Sequence, residues 1–108
     1  MQAGRLRHLV TLQSPLRTQS IEDGELVESW VDEIEDYPAE VLELKGREYI
    51  NSRELHAEVD VKVNMRYYPG LKPTWRIVFG DRLFQIKHVI DHQGRRRDLS
   101  LMCLEVVT

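Results

Sequence analysis

His88, Asp91 and His92 stand close together in the chain. Two imidazoles and a carboxylate are donor types that bind zinc and related divalent metals. Their spacing puts His88 at the end of a strand and His92 in the turn that follows, so convergence on one ion is not built in. A strand-end histidine beside a polar turn accounts for the same residues. Arg95-Arg96-Arg97 comes next and is the densest positive run. Guanidinium forks pair with phosphates and carboxylates, so this tip can meet DNA, an acidic patch on a partner protein, or only solvent. Glu22, Asp23, Glu25, Glu28, Asp32, Glu33 and Glu35 form an acidic stretch. Paired carboxylates can serve acid–base chemistry, but these are scattered over a loop and one strand face and read as a solvated acidic surface. Cys103 lies in an apolar run with no histidine at a telling spacing, which makes it a core thiol rather than a nucleophile. Trp30, Trp75, Tyr67 and Tyr68 are aromatic enough for a platform that stacks single-stranded bases, although strand aromatics more often fill a core. No phosphate-binding loop, dinucleotide fingerprint, zinc-protease helix or nucleophile elbow is present. These residues point to binding or assembly, not catalysis, and imply no cofactor.

The elements that carry them are mostly strands. From Glu58 to Tyr68, Val59, Val61, Val63, Met65 and Tyr67 alternate with Asp60, Lys62, Asn64, Arg66 and Tyr68, the period of two of a half-buried strand. Pro69-Gly70 ends it. Trp75 to Phe79 is the next strand, and Gly80-Asp81 turns the chain. Arg82 to Ile90 follows, with Phe84, Ile86, His88 and Ile90 expected on one face. Asp91 to Arg97 is a polar turn, and Asp98 to Val107 closes the chain. The last strands are apolar on both faces in places, which implies cover on both sides from a helix or another subunit.

The front half is read as a strand from about Arg5 to Gln13, a long loop over Ser14 to Glu25, and a return strand over Leu26 to Ile34. The loop holds Pro15 and the turn pair Asp23-Gly24. The return segment also fits a helical face through Val27, Trp30, Val31 and Ile34; its β-branched and aromatic content favours strand. Pro38 is expected to break the pattern before a short strand at Ala39 to Leu44. Glu48 to Leu55 is the one segment that suits a short helix, or alternatively a long loop. Six or seven short strands with hairpin-length turns specify a mainly β, small antiparallel barrel with a long loop and one short helix.

A chain of 108 residues makes one domain, 1–108, with a modest core. The hydrophobic share of 42% and charged share of 31% are those of a folded protein. A net charge of −3 argues against sequence-independent wrapping of nucleic acid over the whole surface. The single cysteine excludes an intramolecular disulfide. The N-terminal residues lack the apolar run of a signal peptide, and no stretch is long and apolar enough for a transmembrane helix. A soluble protein made in a cytoplasm is expected.

Several fragments, in order, resemble the head–tail joining proteins of long-tailed bacteriophages, the head–tail adaptor, stopper or head-closure proteins. They are Gly4-Arg5-Leu6-Arg7-His8-Leu9-Val10-Thr11-Leu12-Gln13, Trp30 after the Asp-Gly loop, and Leu44-Lys45-Gly46-Arg47-Glu48. Val63-Asn64-Met65-Arg66-Tyr67, Gly70-Leu71-Lys72-Pro73, Arg76-Ile77, Gly80-Asp81-Arg82-Leu83-Phe84-Gln85-Ile86 and the closing Leu99 to Glu105 complete the set. The resemblance implies a small β-barrel that forms a ring of its own copies on the head–tail connector, in the neck of the virion. Portal and adaptor proteins would lie above it and tail proteins below. DNA would pass without sequence-specific binding, and in some family members a loop closes the channel. By the same resemblance, Gly46, Arg47 and Glu48 mark the long loop or helix after the third strand. They join Arg95, Arg96 and Arg97 as expected subunit or partner contacts. Glu22, Asp23, Glu25 and Glu28 would form an exposed or lumen-facing acidic loop that repels DNA. A tail-terminator or tail-completion protein and a small nucleic-acid-binding barrel are the alternatives.

Overall fold

The computed structural model describes residues 6–19, 22–44 and 59–106. Six strands run in chain order: β1 (His8–Gln19), β2 (Leu26–Glu43), β3 (Val61–Arg66), β4 (Arg76–Phe79), β5 (Arg82–Asp91) and β6 (Asp98–Val106). They close into a barrel in the order β1-β2-β3-β6-β5-β4, every neighbouring pair antiparallel. Closure leaves no sheet edge around the barrel wall.

The core follows the period of two. Val61, Val63 and Met65 of β3, Ile77 of β4, Phe84 and Ile86 of β5, and Leu99, Leu101 and Cys103 of β6 point inward. Val10, Leu12 and Ala39 join them from the first hairpin, and Trp75 caps one end. A second, smaller cluster lies on the outer side of β6, where Met102 packs with Leu44, Val59 and Ile90. The burial of β6 on both faces thus comes partly from residues flanking 45–58. The helix expected over Glu48 to Leu55 lies outside the described residues.

Three expectations need correction. The segment Ser14 to Glu25 is not a long loop: β1 continues to Gln19 and pairs with β2 from Gln19↔Leu26 inward. Among the described residues of the tip, 22–23 form a turn. Pro38 does not break the chain into two strands, because Leu26 to Glu43 is one strand of 18 residues. Instead the register shifts twice between Val10 and Gln13, and Asp36 takes a left-handed φ of 54°. Such bulges bend a strand without ending it. Pro38 sits beside this bend, one residue before pairing with β3 begins at Ala39. Finally, a bulge between Ile86 and His88 swaps the faces of β5. Val89 packs on the main core, while His88 is exposed and Ile90 joins the outer cluster. A one-residue slip moves every later side chain to the other face.

The β1–β2 hairpin outgrows the barrel. β4 pairs with β1 only from Thr11 to Gln13, and β3 pairs with β2 only from Ala39 onward. Ser14 to Gln19, with Leu26 to Val31 opposite, therefore forms a two-stranded arm beyond the barrel wall. Six residues of strand extend about 20 Å. Added to a body 28 by 27 Å across, that accounts for the long dimension of 49 Å.

Candidate functional site

The arm leaves the same barrel end that carries the β5–β6 turn. β1 runs toward this end. So does β3, which finishes at Arg66, and β5, which finishes at Asp91; β4 and β6 start from it. The exposed Arg95, Arg96 and Arg97 and the acidic arm thus share one end of the molecule.

The arm is fixed at its base by Arg76. Its Nε donates to Gln13 Oε1 at 2.6 Å, and its guanidinium carbon lies 4.2 Å from the centre of the Trp30 ring. Gln13 Nε2 in turn donates to Asp32 Oδ1 at 2.6 Å. Burial lowers the Arg76 pKa, and the carboxylates of Glu28 and Asp32 oppose that shift. A cleft of about 540 Å³ opens beside this brace, lined by Pro15, Arg17, Glu28, Trp30, Thr74 and Gln85. At the tip, Gly24 takes a φ of 73°, a conformation that suits glycine. Gln19 Nε2 donates to Gly24 O at 3.0 Å, and Glu25 N donates to Asp23 Oδ1 at 2.9 Å. Glu22, Asp23, Glu25 and Glu28 are all exposed. Glu28 meets Arg17 at 3.4 Å across the hairpin.

Register assigns the arm two unlike faces. Gln13, Pro15, Arg17 and Gln19 share a face with Asp32, Trp30, Glu28 and Leu26. Ser14, Leu16 and Thr18 share the other with Val31, Ser29 and Val27. This second face continues the inward stripe of Val10 and Leu12 past the point where the barrel ends. Without a core to meet, Leu16, Val27 and Val31 stay 47%, 48% and 40% exposed. Glu33 stands at its base, where its carboxylate accepts from Ser14 Oγ at 2.6 Å.

The arginine turn is built firmly. A 3-10 turn at His92–Gly94 precedes it. Arg96 adopts a left-handed φ of 56°, and its N–H donates to Asp91 Oδ1 at 3.2 Å. Tyr67 N donates to Arg97 O at 2.9 Å, tying the turn to the end of β3. None of the three guanidiniums has an ion-pair partner among the described residues.

The histidine cluster does not converge. Asp91 caps the arginine turn, His88 lies beyond the β5 bulge, and His92 Nε2 meets Ser100 Oγ at 2.6 Å. Ser100 Oγ donates its proton to Asn64 Oδ1 at 2.7 Å, and Asn64 Nδ2 donates to Glu40 Oε1 at 2.9 Å. With the serine proton committed to Asn64, His92 Nε2 must be the donor, so His92 is not a base toward that hydroxyl. The chain of bonds ties β6, β3 and β2 together. No group of His, Cys, Asp and Glu among the described residues is arranged to hold a metal. Burial, with Asp60 adding to it, pushes the Cys103 thiol far up and keeps it protonated.

The four aromatics also part company. Trp75 is buried in the core, with the Tyr68 ring 6.0 Å away and Tyr37 5.7 Å beyond that. Tyr37 Oη donates to the carbonyls of Arg66 and Tyr67 at 3.1 and 3.0 Å. Trp30 alone belongs to the arm. At the opposite barrel end, Arg82 pairs with both oxygens of Glu105 at 2.9 and 2.8 Å and with Glu43 at 2.7 Å. These bonds hold the Glu105 carboxyl below its usual range and raise Arg82. Sequence reading missed Arg76, Tyr37 and Arg82, whose partners lie far away along the chain. Gly46, Arg47 and Glu48 lie outside the described residues.

A closed β-barrel that presents an uncovered hairpin arm and a basic turn has the build of an assembly component. The chain belongs to the phage head completion protein family, whose sequence model matches residues 1–106. Its fold is similar to the solution structure of protein SF1141 from Shigella flexneri 2a, at 30% identity and a TM-score of 0.75 over 97% of this chain and 96% of that one. It is also similar to a chain from the virion of a native gene transfer agent particle, at 23% identity and a TM-score of 0.64 over 96% of this chain and 98% of that one. No curated protein matches the chain.

Proposed function

We propose that this protein works in the neck of a phage virion as a ring of identical barrels. The family membership makes it a structural protein of the head–tail connector, assembled with other head and tail proteins. The finer reading is ours. Copies sit side by side beneath the portal and its adaptor and above the tail, and they bridge the filled head to the tail or help close the DNA channel. Arg95, Arg96 and Arg97 serve as contacts, and Gly46, Arg47 and Glu48 are proposed contacts from sequence. The free chain is monomeric and joins the ring only on the connector. One observation supports this most: the arm carries uncovered apolar side chains that the barrel cannot bury, as expected of a surface that is completed by assembly.

The test is deletion of the gene in its phage or inducible prophage, with electron microscopy of the lysate. Separate heads and complete free tails, restored to virions by supplying the protein, are expected. Heads that have also lost their DNA would add channel closure. Normal infectious virions would refute the connector reading.

A further inference from the structure

We propose that the β1–β2 arm is the subunit-to-subunit clasp. The arm of one copy lies across the arginine-bearing end of the next barrel, its uncharged face down and its acidic tip against the neighbour's Arg95–Arg97 turn. The proposal rests on the ring reading above and names the surface that makes the ring.

Four observations carry it. First, an isolated two-stranded ribbon is marginal in water, yet this one extends well beyond the barrel with Leu16, Val27 and Val31 exposed on one uncharged face. Leu26 at the tip is 72% exposed. Second, both outer edges of the ribbon are free among the described residues, since β4 and β3 stop short of it. Third, the charges are complementary within the one chain. Glu22 and Glu25 stand exposed at the arm tip, and Arg95 and Arg97 stand exposed on a rigid turn without an ion-pair partner among the described residues. The Arg76–Trp30 brace holds the base of the arm, and among the described residues no ion pair joins Glu22 or Glu25 to Arg95 or Arg97 of the same copy. Fourth, a closed ring needs a head-to-tail interface between two different patches of the same molecule. An acidic arm and a basic turn are such a pair, so a second copy is the occupant that satisfies both.

A charge-swap complementation tests the clasp in a phage lacking the gene. Each variant is first checked for an unchanged melting temperature. Glu22→Lys with Glu25→Lys, and separately Arg95→Glu with Arg97→Glu, are each expected to lower the yield of infectious particles at least about 100-fold, because like charges then face each other across the interface. All four changes in one chain are expected to restore the yield to within about tenfold of the parent, as the attraction returns with its sign reversed. Normal yield from either reversed variant would overturn the clasp. So would failure of the four-fold variant to rescue, which would place the acids and arginines on different partners or on the channel wall. If the unaltered protein itself does not restore particles, the connector reading fails, and the clasp with it. An independent readout is cross-linking in assembled particles. Glu25→Cys with Arg97→Cys should yield ladders of linked copies on oxidation, with buried Cys103 taking no part. Absence of any linked species would also overturn it.

Discussion

Replacing Arg76 with methionine tests whether the arm is braced or merely extended. The change keeps an unbranched stem of similar length and removes the guanidinium. Two interactions go with it: the stack on Trp30 at 4.2 Å and the bond to Gln13 at 2.6 Å. A cation over an aromatic ring contributes about 0.5–2 kcal/mol, depending on desolvation. A hydrogen bond to a charged group contributes about 1.5–3 kcal/mol. Arg76 is only half-buried, so the lower part of each range applies and the expected loss is roughly 2–3 kcal/mol. For a domain of this size that lowers Tm by roughly 8–12 °C. Urea unfolding gives the loss directly. A cycle with Trp30→Leu then isolates the stack, with an expected coupling of about 0.5–1.5 kcal/mol. Iodide quenching of Trp30, read in a Trp75→Phe background, should rise in the Arg76 variant as the ring is uncovered. Additivity of the two changes within about 0.3 kcal/mol, or unchanged quenching, would refute the brace.

Other outcomes follow from the same structure. Phe84→Ala opens a cavity at a fully buried site of the barrel and should cost about 3–5 kcal/mol, measured by urea unfolding. The Arg82–Glu105 pair lies near the surface, so Arg82→Met should cost only about 1 kcal/mol at pH 7. Because Glu105 is held below its ordinary range, the stability from this pair is full above the unfolded carboxyl pKa, about 4.3, and is lost as pH falls through the lower folded value. The gap between parent and variant should therefore close between pH 5 and about pH 3; a gap that persists at low pH would contradict the assignment. Cys103 should resist thiol reagents at pH 8 in the folded protein and react at once in denaturant, since its sulfur is buried and its pKa is raised. Rapid labelling of the native chain would place Cys103 outside the core.

β3 and β6 were legible because they obey one rule without interruption. Val61, Val63 and Met65, or Leu99, Leu101 and Cys103, have a core on one side, so burial writes a period of two into the residue types. The arm has no core on either side, so Ser14 to Gln19 carries no such signal and, with Pro15, reads as loop. The two bulged places misled for a related reason. Asp36 and the step after Ile86 each shift the register by local backbone geometry, which residue types do not announce. At the candidate site, the exposed arginine turn and acidic tip were visible as charge runs in sequence. Their placement at one barrel end was not, because it follows from strand direction and closure. The Arg76–Trp30 brace was invisible for the same reason, as its partners meet only once β4 joins β1.

The most direct measurement is a reconstruction of the neck of the intact virion by electron cryomicroscopy. A closed ring of these barrels is expected between the portal assembly and the tail, each arm lying on the arginine turn of the next copy. A neck without this barrel, or copies present only singly and out of contact with one another, would contradict it.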